Sequence, residues 1–468
     1  MPKSTFDEES ENHPLDKGAF PTFRAIPSKI RKIVCSISSI FFQLVQYIGR
    51  GWRRSWHYFL TIIIIIAILY AGLDIYATAQ LNHQLNLIKQ KGEPVAFADA
   101  APPMVPDSQN AAILYERANQ TYTSIRNQLR KKGGLSDKEI TARIEQNKTI
   151  LNLIREATTK QKCRFDLDWS NSIRLILPEG QMRQWARLFA KVAGDEANSG
   201  DINAALQDTR RIYILANHVS QQHLFISTLV ARDIESLADA TLGKVLLHGS
   251  ISISQARAFK TSLPVIDWQS ALHRSLITER ASMIGIFQGS PEMHDIVDST
   301  DSFSRTTRLL WRALPPLQKL DETYSLQDWK EILDDVNNSH SSFSTTSNAK
   351  DYIGIDKMPW YALISKMMLP IFSSPRRFFR SSEVRLRQCE IALALAAYHT
   401  QYHQYPTTLA PAEKLWKSTF PLDLYNNKPF HYKSNGKTFL LYSVGVNGKD
   451  DGGEWKGDSL KNDIVWGH

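Results

Sequence analysis

The alternation of apolar and polar positions divides the chain into three unlike stretches. In the first, "HYFLTIIIIIAILYAGLDIY", no charge interrupts Phe59 to Leu73. Trp56 and Tyr58 stand on one flank and Tyr76 on the other, as an interfacial aromatic belt does. With that belt the stretch approaches the ~20 residues a bilayer requires of a helix, which predicts a transmembrane helix over 59–77. Just ahead of it, Ile30, Ile33, Val34, Ile37, Phe41 and Leu44 share one helical face beside Lys29, Arg31 and Lys32. Such a helix lies on an anionic leaflet or packs on another membrane protein. Residues 1–28 are polar with scattered prolines and read as a disordered tail.

The second stretch is dominated by the 3.6-residue period. Residues 78–106 begin helical and pass into an extended connector punctuated by Pro94, Pro102, Pro103 and Pro106. Asp107 or Ser108 is placed to cap a helix carrying Ile113, Leu114, Ala118, Tyr122 and Ile125 on one face. From Glu179 to Gly249 there is no proline. Trp185, Leu188, Phe189 and Val192 mark one helix, and Ile202, Ala205, Leu206, Ile212 and Tyr213 mark the next. The turn between them is "NSGD" at 198–201. Small residues beside that turn give the helix-hairpin pattern of a tetratricopeptide-like unit, but with one unit visible a bundle or a short helical-hairpin array is expected. "SQARAFKTSL" and "WQSALHRSLITERASMIGIFQG" read as further helices, and Val336 to Tyr352 as a polar surface loop.

The third stretch starts at Ser381 or Ser382, which with Glu383 is expected to open a helix bearing Val384, Leu386, Ile391, Leu393, Leu395 and Tyr398. Tyr405-Pro406 stops it. "PFHYK" and "TFLLYSVG", separated by Asn435-Gly436, form the strongest short hairpin signal in the chain. A loop crowded with Gly, Asn and Asp follows, then "DIVW". The fold class expected is mainly α, with a transmembrane helix, a helical bundle and a small α+β module. The divisions are a cytoplasmic tail over 1–58, the membrane helix over 59–77, a stalk and connector over 78–106, an exported helical domain over 107–375, and the closing module over 381–468.

Charge and composition sharpen this picture. At 468 residues with 43% hydrophobic residues, the chain has material for two or three packed units. Its net charge of +9 does not point to nucleic acid, because basic residues crowd beside the apolar segment. Arg50, Arg53 and Arg54 precede a nearly neutral far side, which places the N-terminus inside and the bulk outside. The apolar run begins too far along the chain for an ordinary cleaved signal peptide, although "ATAQ" at 77–80 has a small-residue cleavage character. The protein is expected in the inner membrane of a bacterium as a single-pass signal-anchor protein. Of three cysteines, Cys35 falls on the cytoplasmic side, leaving Cys163 and Cys389 either as an exported pair or as two buried thiols.

No nucleophile elbow, Cys-x-x-Cys, P-loop or dinucleotide-binding glycine pattern is present, and no basic–aromatic stripe suggests single-stranded nucleic acid. His399 and His403 have metal-ligand spacing without the intervening glutamate, which favours a surface or half-buried pair. His218 and His223 are five apart and diverge around a helix. Asp233, Glu235, Glu279 and Arg280 read as solvated or salt-bridged helix charges.

The order "AL..Y…YP.TL", "P.D.YN.KPF.Y", "F.LYSVG.NG..DGG" and "DI.W" resembles the C-terminal half of the major pseudopilin of type II secretion systems. It is carried by the helix from Glu383 to Gln404, Tyr405-Pro406, Phe430 to Tyr432, and Leu441 to Gly445, under a fifth of the chain. The region with "GEPVAFADAAPPMVPDSQNAAILYERA" is also similar to large uncharacterised membrane-anchored bacterial proteins that end in the same way. The chain departs from pseudopilins in lacking their processing site and helix glutamate, which argues against pilus assembly through its N-terminal helix. The resemblance implies a calcium loop: Asn447 stands where the first Asp would be and Asp463 matches the second Asp of the terminal pair. Lys461 replaces that pair's first Asp. Besides Asp463, the loop itself offers the carboxylates of Asp450, Asp451 and Asp458, with the Ser443 carbonyl and Asn447 Oδ1 as neutral ligands. Calcium needs six to eight oxygens. The alternative is a Gly-rich loop closed by Asx turns.

The functional expectation is a non-enzymatic envelope protein in a protein-binding or scaffold role, linked to secretion or pilus-like machinery, with the lipid bilayer and other envelope proteins as partners. An accessory subunit that binds pseudopilins laterally is a narrower form of it. The alternative is an exported, hydrolase-like enzyme with a site between the helical domain and the closing module, lined by Glu279, His273 or His399.

Overall fold

The computed structural model describes residues 28–136, 139, 142–143, 146–170, 179–288, 305–337, 358–372, 375–454 and 462–467. The expected tail over 1–27, most of the loop after Asn337, Asp458 and Lys461 lie outside the described residues. Two compact units emerge, Met1–Leu73 and Asp74–His468.

The first unit is the larger part of α1 (Ser28–Gln90), a single helix of 63 residues. The expected break between an amphipathic segment and a membrane helix is absent, because neither Gly49 nor Gly51 ends the helix. Within Trp56–Gln90 lies the one stretch, among the described residues, long and apolar enough to cross a membrane, and the protein buries none of it.

The second unit is mainly helical. Asp107–Gln109 forms a 3₁₀ turn rather than the expected cap, and α2 (Ala112–Lys132) starts where Asn110 Oδ1 accepts the Ala112 N–H at 3.1 Å. Then follow α3 (Lys148–Ala157), α4 (Glu179–Asn198), α5 (Ile202–Ser220) and α6 (Phe225–His248). The "NSGD" turn behaves as its residues dictate. Gly200 takes φ +88°, and the Asp201 carboxylate accepts from Ala204 N at 3.0 Å to cap α5. Helices α4, α5 and α6 pack mutually as one layer. Next come α7 (Ile253–Ser262), with a Ser252/Gln255 capping box, and α8 (Trp268–Phe287), capped by Asp267. Helices α9 (Arg305–Ala313), α10 (Pro315–Asn337) and α11 (Leu363–Met368) complete the middle of the unit.

Helix α12 (Pro375–Tyr402) opens earlier than expected, at a proline whose fixed φ suits a first helical turn. Ser381 and Ser382 are therefore not caps but fully buried positions inside the helix. After α13 (Ala410–Trp416), the strands β1 (His431–Ser434), β2 (Phe439–Ser443) and β3 (Ile464–Val465) form an antiparallel sheet in that order. Asn435-Gly436 makes the expected turn, with Gly436 at φ +82°. One hydrophobic cluster runs from Ala111 to Trp466 and includes α4–α6, α8, α12 and the sheet. The helical stretch and the closing module thus share a core.

The last turns of α1 belong to this unit as well. Ile88 packs with Ile284 and Leu326, with Leu81, Leu85 and Val95 beside them. The buried Arg280 guanidinium holds Glu93 at 2.7 Å, so Arg280 is a tertiary tether rather than a solvated charge.

Asp321 on α10 is fully buried. Its carboxylate accepts from Ile364 N at 2.9 Å, Ser365 N at 3.3 Å and Ser365 Oγ at 2.6 Å, capping the first turn of α11 across space. Burial pushes its pKa up to about 7, against an ordinary 3.8. The folded state retains a proton there that the unfolded chain has already released. This group's contribution is complete below about pH 4 and is lost as pH rises through about 7. Glu322, also raised by burial to about 7, acts in the same direction. The melting temperature of Asp321→Asn should fall less steeply than that of the unmodified chain between about pH 4.5 and about pH 7.5. A steeper fall in the variant would contradict this account.

Candidate functional site

The loop after β2 is built on a hydrogen-bonded frame. Asp423, fully buried, accepts from Ser443 Oγ at 2.9 Å, Val444 N at 3.2 Å and Tyr425 N at 3.0 Å. Its own backbone closes the 423–428 turn through Lys428 O and Asn427 N, each at 2.8 Å. Arg387 and Arg380 on α12 donate to Leu422 O and Leu424 O, fastening that turn to the helix. Ser443 Oγ in turn accepts from Gly445 N at 3.1 Å. Gly445 sits at φ +63°, and a Cβ there would lie 2.3 Å from Asn462 O. The chain crosses itself at this point, and only glycine fits.

The five expected ligands are then placed as follows. Asn447 Oδ1 accepts from Lys449 N at 2.9 Å, and its Nδ2 donates to Asp451 Oδ2 at 2.8 Å. Asp450 Oδ1 accepts from Gly452 N at 2.9 Å and Tyr442 Oη at 3.0 Å, which hold its carboxyl below the usual range. Its other oxygen lies 3.4 Å from His431 Nδ1. Asp463, fully buried, accepts from Gly453 N at 2.8 Å through Oδ2, while Oδ1 is buried without a hydrogen-bond partner. Ser443 turns its hydroxyl to Asp423. The turns at Asn447 and Asp450 are Asx turns. Among the described residues, no three His, Cys, Asp or Glu side chains are gathered to hold a metal. The orphaned Asp463 oxygen is the one feature here whose chemistry suits a cation.

A second polar cluster lies deeper, between α6 and α12. Glu235 accepts from Ser382 and Trp268, and Asp239 Oδ1 accepts from Tyr213 Oη at 2.6 Å. Glu235 is 6% exposed and Asp239 2%. Burial and the neighbouring Asp239 raise Glu235 well above its usual range, and burial raises Asp239 to about 6. The positive charge of Arg385 on α12 opposes both shifts. Gln388, one turn of α12 further, donates to Ile464 O at 2.7 Å. Helix α12 thus carries the polar links to α6 on one side and to β3 on the other.

Other sequence candidates are dispersed. Glu279 accepts from Phe225 N at 3.2 Å, at the start of α6. His399 stacks on Tyr405 at 4.5 Å, near the contact of Thr400 with Ile251 at the far end of α6. The 24 residues of α6 separate them by about 36 Å of helix, so they do not line one cleft. His273 meets Asn337. His403 lies beyond the end of α12 at φ +58°, off the helical face that spacing assigned to it. His218 is buried between Tyr115 Oη at 2.8 Å and Lys160 O at 3.0 Å, and desolvation lowers it to about 4. Because Lys160 O can only accept, Nε2 carries the proton and Nδ1 accepts from the tyrosine. His223, also at positive φ, turns to Ala100 O at 3.3 Å. Cys163 and Cys389 are both buried and unbridged.

No family model matches this chain, and neither a curated protein nor a solved structure shows similarity to it.

Asp423 is the acid of the pattern "P.D.YN", which gave it no role; in the structure it accepts from Tyr425 N to close an Asx turn. Replacing Asp423 with Ala leaves two buried N–H groups and one hydroxyl without their acceptor, which should cost on the order of 3 kcal/mol. Urea unfolding of the purified protein measures it. A loss below that of an ordinary surface substitution would show that the frame is not held from this residue.

Proposed function

We propose that this chain is a single-pass protein of a bacterial cytoplasmic membrane, with its N-terminus cytoplasmic and the folded unit on the opposite side. It serves as a scaffold or protein-binding element linked to secretion or pilus-like machinery. The observation that carries this reading is the dual character of α1. Its apolar stretch is left unburied, while its last turns are built into the packed unit through Ile88 and through Lys319, which meets Asp74 Oδ1 at 2.6 Å. A helix that is wholly apolar over one length and amphipathic over the next matches a lipid-crossing segment continuing into a protein-packed one. Arg50, Arg53 and Arg54 ahead of it support the inside position of the N-terminus.

The scaffold role draws on the way buried polar side chains tie elements together. Asp423 joins the closing turn to β2, Asp321 joins α10 to α11, and Arg280 joins α8 to the connector at Glu93. The alternative hydrolase reading has one observation in its favour, the carboxylate pair Glu235 and Asp239 at the boundary it specified. Both are sealed under α12, so a substrate reaches them only if that helix moves.

The pseudopilin-like reading of the closing module rests on its order of helix, hairpin, Gly-rich loop and terminal strand. If calcium binds there, Asp463 Oδ1 is the oxygen free to meet it.

Two measurements test these readings. In intact cells, a membrane-impermeant maleimide should label Val265→Cys and leave Cys35 unlabelled until the membrane is permeabilised. The reverse pattern would invert the topology. Excess calcium should raise the melting temperature of the purified protein, and the rise should vanish in Asp463→Ala. An equal rise in both proteins would place the ion elsewhere, and no rise would leave the loop held by its Asx turns alone.

A further inference from the structure

The unit beginning at Asp74 carries exposed apolar side chains on segments joined to its first helical turn. Asp74 directly follows Leu73, and Lys319 Nζ grips both Asp74 Oδ1 at 2.6 Å and Thr78 Oγ at 2.9 Å, one helical turn apart. Lys319 therefore lies within about one turn, ~5 Å, of the end of that stretch. Two residues on, Asp321 receives the N–H groups of Ile364 and Ser365. One residue before Lys319, Gln318 donates to Trp311 O at 3.1 Å. A single turn of α10 thus ties together the segments around Asp74, Trp311 and Ile364–Ser365.

What these segments turn outward is alike in kind. Trp311 on α9 is fully buried, yet its neighbours on the same helix, Leu309 and Leu310, are exposed, Leu309 at 57%. Trp360, stacked edge-on against Tyr361 at 5.9 Å, is 58% exposed, and Tyr76 is 57% exposed. Ile75 completes the set. These residues come from three separate parts of the sequence. Scattered single exposures need no explanation, but apolar and aromatic side chains exposed on three segments tied to one helical turn do. The headgroup layer of a bilayer is roughly 5–7 Å deep per leaflet, and Trp and Tyr concentrate there. Arg308 and Arg312 flank the leucines on α9, the composition of a helix that lies in the interface plane.

We propose that Leu309, Leu310, Trp360, Ile75 and Tyr76 form a lipid-docking rim that seats the folded unit on the outer surface of the phospholipid bilayer. The proposal rests on the reading that Phe59 to Leu73 spans the membrane. Continuity with Leu73 singles out the bilayer as the occupant, because Asp74, to which Lys319 is bound, directly follows the apolar stretch.

The test uses the full chain in phosphatidylethanolamine–phosphatidylglycerol vesicles, with Cys35→Ser and the two buried thiols retained. An environment-sensitive fluorophore is attached at Leu309→Cys, Trp360→Cys or, as reference, Val265→Cys. Val265 is 82% exposed and lies beside the far end of α10, where Gln269 meets Val336 O. By helix rise that end is about 25 Å from Lys319. Nitroxide-labelled lipids should quench the Leu309 and Trp360 probes several-fold more than the Val265 probe. Equal quenching at all three would overturn the rim. So would probes at 309 and 360 that are shielded from both lipid nitroxides and an aqueous quencher, since protein then covers the patch. Flotation of the unlabelled chain with vesicles reports the anchor separately. A chain that floats without differential quenching loses only the rim, and a chain that does not float loses the anchor too.

Discussion

Helix α12 must be buried along nearly its whole described length, and the folded unit is organised around that requirement. From Phe379 to Ala397 most of its residues are buried, including Ser381, Ser382, Arg385, Gln388 and Cys389. A helix apolar on one stripe needs one partner, whereas a helix buried all round needs several. Here those partners are α6, α7, α8, α13 and the strands β2 and β3. Serines at 381 and 382 keep the profile of α12 small where α6 crosses it, and Arg385 offsets part of the charge that Glu235 and Asp239 bring into the same interface. Burying polar atoms is costly, and the interface offsets that cost in part. Ser382 and Tyr213 donate to Glu235 and Asp239, while Asp239 Oδ2 and Gln388 Oε1 stay buried without a hydrogen-bond partner.

That requirement also accounts for the closing loop. Strand β3 adds two residues to a small sheet, too few to stand alone. It is held because Gln388 reaches Ile464 O, Trp466 N reaches Leu441 O at 3.0 Å, and Asp463 takes the Gly453 N–H. Gly445 and Gly453 allow the backbone to pass closely over Asn462 and the Tyr442 ring. The loop is therefore a clamp on the end of the chain, with Asp423 beneath it and the unpartnered Asp463 oxygen left at its edge.

The other end of the unit works by the same logic with different chemistry. Residues Asp74–Gln90 offer one face to α8 and α10, and the connector delivers Glu93 to a buried arginine. A lone half-exposed pair such as Asp74–Lys319 adds little stability. Its consequence is positional: it sets α10, and through Asp321 also α11, at a defined height along α1.

The apolar run, its arginine flank, the helical periods around Trp185 and Ile212, and the Asn-Gly hairpin were all legible from residue order, because each is a local property of neighbouring residues. The limits of α12 were not, because a serine pair before a glutamate has the form of a cap, and only contact with α6 makes it an interior position. Nor was Asp423's role, which depends on a strand some twenty residues later. The spacing of His399 and His403 assumed a continuous helix, which ends at Tyr402 between them. Glu279, His273 or His399 was expected to line a cleft, and α6 holds Glu279 and His399 apart. The sequence by itself determined the membrane-length apolar run, the helix pair around 198–201 and the Asn-Gly hairpin, but it did not mark α3, α9, α10, α11 or α13. Only tertiary structure decided which polar side chains became tethers, because a hydrogen bond between distant segments leaves no period in the chain that forms it.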